Sequence, residues 1–342
     1  MSAALLKSEA PVRDDGPEHQ AADVAVETVR QNPPLTKKRP RRRGPLERLE
    51  RTWGLILAGP YIFGLLFFVA GPVVFTWVLS LCEWNGVTAP EFKGLGNWTR
   101  LLTDGLFWKA SANTAYFVAL SVPLGVVLSL LLAILVNQKL PGIKVFRTLY
   151  FLPVVTSFVA VSLVWTWFYD PNIGVLNYLI SQTFKFVGLT PPEPVKWLND
   201  PRTAMLAIII MSVWKGLGYN MVIFLAALQE VPVSLNEAAT LDGAGRFQRF
   251  LHVTLPTISP ITFFVIVITL ISGFQVFDQV YIMARDGRPA DSTLTLVYYL
   301  YRNGFEYLQM GYATTIGTAL FVIIFAVTLI QIWAQRVWVH HD

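Results

Sequence analysis

Apolar and polar positions in this chain come in blocks. From Gly54 onward, six runs are long enough to cross a bilayer, which takes about 20 mostly apolar residues in a helix. They are approximately Leu55 to Leu81, Ala112 to Val136, Phe146 to Tyr169, Ala204 to Leu228, Ile258 to Met283 and Tyr312 to Ala334. The pattern predicts an all-α membrane protein with six transmembrane helices over residues 51–342. Residues 1–50 mix Ala, Glu, Pro and Arg without an apolar stretch, a composition that predicts a separate disordered segment with no secretory signal.

Composition sharpens this division. The 342 residues are 54% hydrophobic and 14% charged, against roughly 45–50% and 25% in soluble domains. The net charge of +5 gathers in the basic tail, KKRPRRR at Lys37 to Arg43. It therefore bears on topology and anionic lipid headgroups, not on nucleic acid. A single cysteine, Cys82, excludes an internal disulfide, and with four histidines it argues against a Cys/His metal site.

Lysine and arginine also set the expected orientation, because they accumulate on the cytosolic side. The tail and the short second-to-third connection, with Lys139, Lys144 and Arg147, are expected inside. So are the connection after the fourth run, with Arg246 and Arg249, and the C-terminus with Arg336. Both termini are then cytosolic. The connections near Cys82 to Ser111, Asp170 to Thr203 and Ala284 to Gly311 face outward. Trp84, Trp98, Trp108, Trp165, Trp167, Tyr169 and Trp197 crowd that outer interface, where amphipathic rings anchor.

The stretch from Pro232 to Pro256 is a polar island between apolar runs. Ser234 and Glu237 stand in the spacing of a capping box, which predicts a short helix from about Leu235. Asp242-Gly243 ends it, since glycine tolerates the left-handed conformation of a C-terminal cap. A second short helix is expected over Ala244 to Val253, with Phe247, Phe250 and Leu251 on its apolar side, and Pro256 stops it.

Glu237-Ala238-Ala239, Asp242-Gly243-Ala244, Phe250 and Leu255-Pro256 resemble the EAA loop of ATP-binding-cassette (ABC) importer permeases of the carbohydrate-uptake subfamily. The resemblance covers about Gly54 to Val337. It is supported by Phe274 to Tyr281, similar to F-x-x-F-D-x-V-Y, and by Gly287 to Thr293, similar to G-G-P-x-x-S-T with Arg288 at the second glycine. It implies a type I ABC importer permease fold in a bacterial or archaeal cytoplasmic membrane. The loop, about 229–257, would hold a cytosolic coupling helix in which Glu237, Ala238, Ala239, Asp242 and Gly243 contact the ATPase. The implied partners are two ATPase subunits that carry ATP and magnesium, a solute-binding protein and a second permease protomer. That protomer is usually a different chain in the subfamily, a homodimer being the alternative.

The same resemblance, by ungapped spacing from Glu237, assigns a sugar path to Gly216 and Tyr219 with Asn220, and to Thr269, Ser272 and Gly273 with Gln275 and Asp278. Amides, hydroxyls and one aromatic platform suit sugar edges and faces. The glycines equally suit close helix packing. Lys215, near the middle of the fourth run, is costly in a membrane and needs a partner. An ion pair with Asp278 and a solute contact are the two readings, the second keeping a glycerol phosphate or polyol importer as an alternative. No phosphate-binding G-x-x-x-x-G-K-[ST] motif is visible, nor H-E-x-x-H or G-x-S-x-G, so neither ATP hydrolysis nor a membrane-embedded enzyme is expected of this chain. An ATP-independent facilitator has no use for the loop.

Overall fold

The computed structural model describes residues 45–138 and 141–338. The expectations for the basic tail through Arg43, for Lys139 and for the last four residues lie outside them. The chain divides into two units, residues 1–68 and 69–342. Helix α1 (Pro45–Gly64) lies in the first, and a π-helical turn at Leu65–Ala70 follows it along the chain. The helix begins at Pro45, so the last six residues assigned to the tail are helical.

In the second unit, α2 (Gly71–Leu79) leads to a two-stranded antiparallel hairpin, β1 (Cys82–Glu83) with β2 (Glu91–Phe92). Then come α3 (Gly96–Thr103) and the long α4 (Gly105–Val136). Asp104 caps α4, accepting from the amide of Leu106 at 2.9 Å, as carboxylates at helix starts do. At the other end Arg147 donates through Nη2 to the Val136 carbonyl at 2.7 Å, a cation closing a helix C-terminus.

The third run is not one helix. α5 (Ile143–Val155) and α6 (Phe158–Phe168) meet at 103°. Thr156 and Ser157 are extended, with ψ of 149° and 141°. Pro153 precedes the break, and the Ser157 hydroxyl starts α6 by accepting from the Val159 amide at 3.3 Å. After α7 (Val175–Phe186), α8 (Ala204–Glu230) is the most buried span.

Next come α9 (Val233–Leu241), α10 (Arg246–Arg249), a π-helical turn at Phe250–Thr254 and α11 (Leu255–Thr257). α12 (Ser259–Phe274) leaves this segment at 68°. The expected fifth helix to Met283 is interrupted at Gln275 to Phe277 before α13 (Asp278–Met283). The chain closes with α14 (Leu296–Tyr301), a π-helical turn at Arg302–Glu306 and α15 (Met310–Trp338).

Among the described residues, four helices are long and apolar enough to span a membrane, and six spans result if each bent pair counts as one. α4 and α8 form the central pair, with α12 against α4 and α5 against α8. Their facing side chains, including Phe117, Ile208, Met211, Phe224 and Val265, are almost fully buried. One expected interface ring is a core residue instead. Tyr169 is 1% exposed, stacks near Trp165 and Trp197 and donates its hydroxyl to the Ala207 carbonyl at 2.8 Å.

Candidate functional site

A cavity of about 490 Å³ opens between α4, α8 and α12, walled also by Val154 of α5 and Phe158 of α6. α8 contributes Ser212, Val213, Lys215, Gly216, Tyr219 and Asn220, and α12 contributes Ile268, Thr269, Ser272 and Gly273. Phe117, Ser121 and Gly125 of α4 and Gln279 of α13 complete it. Seven of the nine residues predicted for the path, Lys215, Gly216, Tyr219, Asn220, Thr269, Ser272 and Gly273, therefore share one wall system. Helical spacing explains this, because residues three or four apart lie on one face.

Gln275 and Asp278 lie off the cavity, and both side chains are exposed. α12 ends at Phe274, so a register counted forward through it is lost at the break. Gln279, one residue past Asp278, points inward instead and donates to the Ser212 hydroxyl at 3.2 Å. Asn220 donates to the Thr269 hydroxyl at 3.3 Å, joining α8 to α12.

The three glycines divide by role. A Cβ on Gly216 would meet nothing within 4 Å, so this position is open space at the cavity. One on Gly218 would collide with the Tyr150 carbonyl of α5, and one on Gly273 would press on Val118 at 3.2 Å. Those two glycines allow close helix approach. Lys215 makes no ion pair with Asp278. Its ammonium donates to the carbonyls of Pro153 at 3.1 Å and Thr156 at 2.9 Å, with the Phe158 ring 4.2 Å away.

A second candidate site is the helix-turn-helix formed by α9 and α10. α9 begins at Val233, with extended Pro232 before it and no side-chain cap. Ser234 thus sits inside the first turn, and the Ser234–Glu237 capping box does not form. The far end follows expectation: Gly243 has φ +81°, its amide bonds the Thr240 carbonyl at 3.1 Å, and the Ala244 amide bonds that of Ala239 at 2.9 Å. That pair of bonds is a Schellman cap.

The second helical segment runs from Arg246 through the π-helical turn to Thr257, past the expected end at Val253, and Pro256 does not stop it. Pro256 lacks an amide for the ladder, and it falls just after the π-helical turn in which the Leu255 amide bonds the Phe250 carbonyl five residues back. The direction changes only after Ile258, where Pro260 opens α12. Half of a capping box appears where none was predicted, the Gly245 amide donating to Gln248 Oε1 at 2.8 Å. Arg249 ties the two helices together by donating to the Thr240 hydroxyl at 2.8 Å. Glu237, Ala238, Asp242 and Gly243 are exposed, with Ala239 half-buried. Beside them Val233, Leu241 and Phe247 leave 70%, 90% and 74% of their surface open, an apolar display unusual for a polar connection.

Residues 125–338 match the family described as "Binding-protein-dependent transport system inner membrane component". The chain belongs to this ABC-importer permease family. Its relatives include the probable ABC transporter permease protein YesP of Bacillus subtilis, 36% identical over 86% of this chain and 94% of YesP. The lactose transport system permease protein LacF of Rhizobium radiobacter is 35% identical over 86% of this chain and 97% of LacF. Among solved structures, a bacterial ABC transporter involved in the import of the acidic polysaccharide alginate superposes with a TM-score of 0.72. That match has 25% identity and covers 85% of this chain and 98% of the other.

This permease is therefore the multi-pass membrane subunit of a transporter, with a type I importer fold. The resemblance extends to the turn after α13. There Gly287 has φ +74°, whereas Arg288, in place of the second glycine, is extended at φ −65° and pairs with Asp286 at 3.0 Å. An extended position needs no glycine, which is why the substitution is accommodated.

Proposed function

We propose that this permease serves an ATP-driven, binding-protein-dependent importer and passes a disaccharide or oligosaccharide through the α4–α8–α12 cavity. The observation that carries the reading is the cavity lining. Ser121, Ser212, Tyr219, Asn220, Thr269, Ser272 and Gln279 offer hydroxyls and amides beside the rings of Phe117 and Phe158. That mixture matches the polar edges and apolar faces of sugars. The relatives' transport of lactose and alginate, as their names state it, supports the same class. A glycerol phosphate importer fits less well, because Lys215 is the single cation of the lining among the described residues and its ammonium is held by two carbonyls.

In this reading α9 and its exposed apolar neighbours face the cytosol and sit in the groove of an ATPase subunit that supplies ATP and magnesium. A second permease subunit completes the membrane domain, and a solute-binding protein delivers the sugar from outside. The termini are cytosolic. Closure of two ATPase subunits carries the paired coupling helices inward, and the bundles rock around the midplane cavity. Reconstitution with the partner subunits, followed by uptake of labelled di- and oligosaccharides, tests it. Saccharide uptake that requires ATP is expected. Uptake without ATP, or of glycerol phosphate alone, would overturn it.

A further inference from the structure

The break between α5 and α6 exposes backbone carbonyls in an apolar span. A helix leaves its last carbonyls without intrahelical partners, and within a membrane each needs one from the protein. Thr156 lies between the two helices and Pro153 in the last turn of α5. Both carbonyls converge on the Lys215 ammonium, at 2.9 and 3.1 Å; that of Pro153 also accepts from the Thr156 hydroxyl at 2.6 Å and amide at 3.3 Å, so the Thr156 carbonyl is the one that leans on Lys215. A cation is favoured there by the helix dipole as well.

Three residues along the same face of α8, Gly218 admits the α5 backbone: a Cβ there would strike the Tyr150 carbonyl and come within 3.0 Å of Val154 Cγ2. Val154 and Phe158, the residues flanking the break, are two of the cavity walls. Lys215 thus joins the wall's position to the break itself. Two of its three N–H donors go to the carbonyls, and the Phe158 ring lies 4.2 Å from Nζ. The side chain is 5% exposed.

We propose that Lys215 is a positioning residue of the transport path: its ammonium caps the broken α5–α6 span, fixes the bend and so sets one wall of the solute cavity. The proposal rests on the sugar-path reading for its functional consequence, but not for its structural content.

The test uses the full chain in lipid nanodiscs, with Cys82 changed to Ser and spin labels on Leu149→Cys and Leu163→Cys, exposed positions on either side of the bend. Lys215→Met should broaden the inter-label distance distribution and shift it by about one helical turn, roughly 5 Å. Lys215→Arg should restore it. In the reconstituted importer the Met variant should lose maximal uptake rate roughly tenfold, the scale of one charged hydrogen bond, with KM little changed. An unshifted distance in Lys215→Met overturns the proposal whatever happens to uptake. A raised KM with an unshifted distance would assign Lys215 to solute contact instead. Should the Met variant fail to assemble, Lys215→Leu, which likewise has no donor, carries the same reading. Failure of the sugar-path reading shows separately, as unchanged uptake in Asn220→Ala.

Discussion

Asp104 is where the fold around α4 can be tested quantitatively. Its Oδ1 accepts from the Leu106 and Phe107 amides at 2.9 and 3.4 Å, and its Oδ2 accepts from the hydroxyls of Tyr299 and Tyr312. One carboxylate therefore binds the start of α4 to α14 and α15. Both tyrosines are nearly buried, 5% and 2% exposed.

Replacing Asp104 with Ala removes a helix cap, about 1 kcal/mol, and strands two buried hydroxyls at about 1 kcal/mol or more each. The expected loss is about 3 kcal/mol, a fall in Tm of roughly 5 °C at about 2.1 cal/mol/K of unfolding entropy per residue over the unit of residues 69–342. Tryptophan fluorescence during heating in detergent measures it. Tyr299→Phe alone should cost about 1 kcal/mol, and the pair of changes should sum to less than the separate losses, because they share one interaction. A shift of only about one degree for Asp104→Ala, or strict additivity with Tyr299→Phe, would mean that the carboxylate does not hold α4 to α14 and α15 through these bonds.

Further outcomes follow from the same geometry. Burial raises the Asp104 carboxyl, but the two tyrosine hydroxyls and two amides outweigh it and hold the group below its ordinary range. A depressed folded value gives stability that is present above the unfolded pKa of about 3.9 and lost as pH falls through the folded value. The Tm difference between wild type and Asp104→Asn should thus be constant near neutrality and narrow only below about pH 4. Gly218→Ala should loosen the α5–α8 contact and lower Tm by several degrees, whereas Gly216→Ala, facing open space, should leave it in place. Asn220→Ala and Thr269→Ala should raise KM for saccharide uptake together, since they share a bond at the cavity. Glu237→Lys should abolish ATP-stimulated uptake while leaving the fold and Tm intact, because its side chain is exposed.

The sequence showed the spans and the polar loop plainly, because length, hydropathy and glycine placement act locally. The Asp242-Gly243 turn was legible for that reason: only a left-handed position reads as Gly there. The breaks were not. Phe151 to Val155 and Phe158 to Val164 are mostly apolar on both sides of the bend, so averaged hydropathy runs through it, although Pro153 followed by Thr156-Ser157 carries a faint signal in its capping residues. The Lys215 partners were hidden because they are backbone carbonyls, which leave no trace in residue identity. Gln279 was missed by one position, since the interruption at Gln275 to Phe277 resets the register. Asp104, Tyr299 and Tyr312 are separated by up to 208 positions, and only the packing of α4, α14 and α15 joins them.

In the proposed importer, the exposed helix α9 links a partner ATPase to the cavity lined by hydroxyls and amides. The most direct measurement is cysteine cross-linking between Ala238→Cys, in a Cys82→Ser background, and the ATPase subunit, scored with labelled saccharide uptake in the same proteoliposomes. A cross-link should form in the intact assembly and stop ATP-dependent uptake until reduced. Uptake that proceeds at full rate with ATP while α9 stays unlinked and freely accessible would contradict that role for the helix.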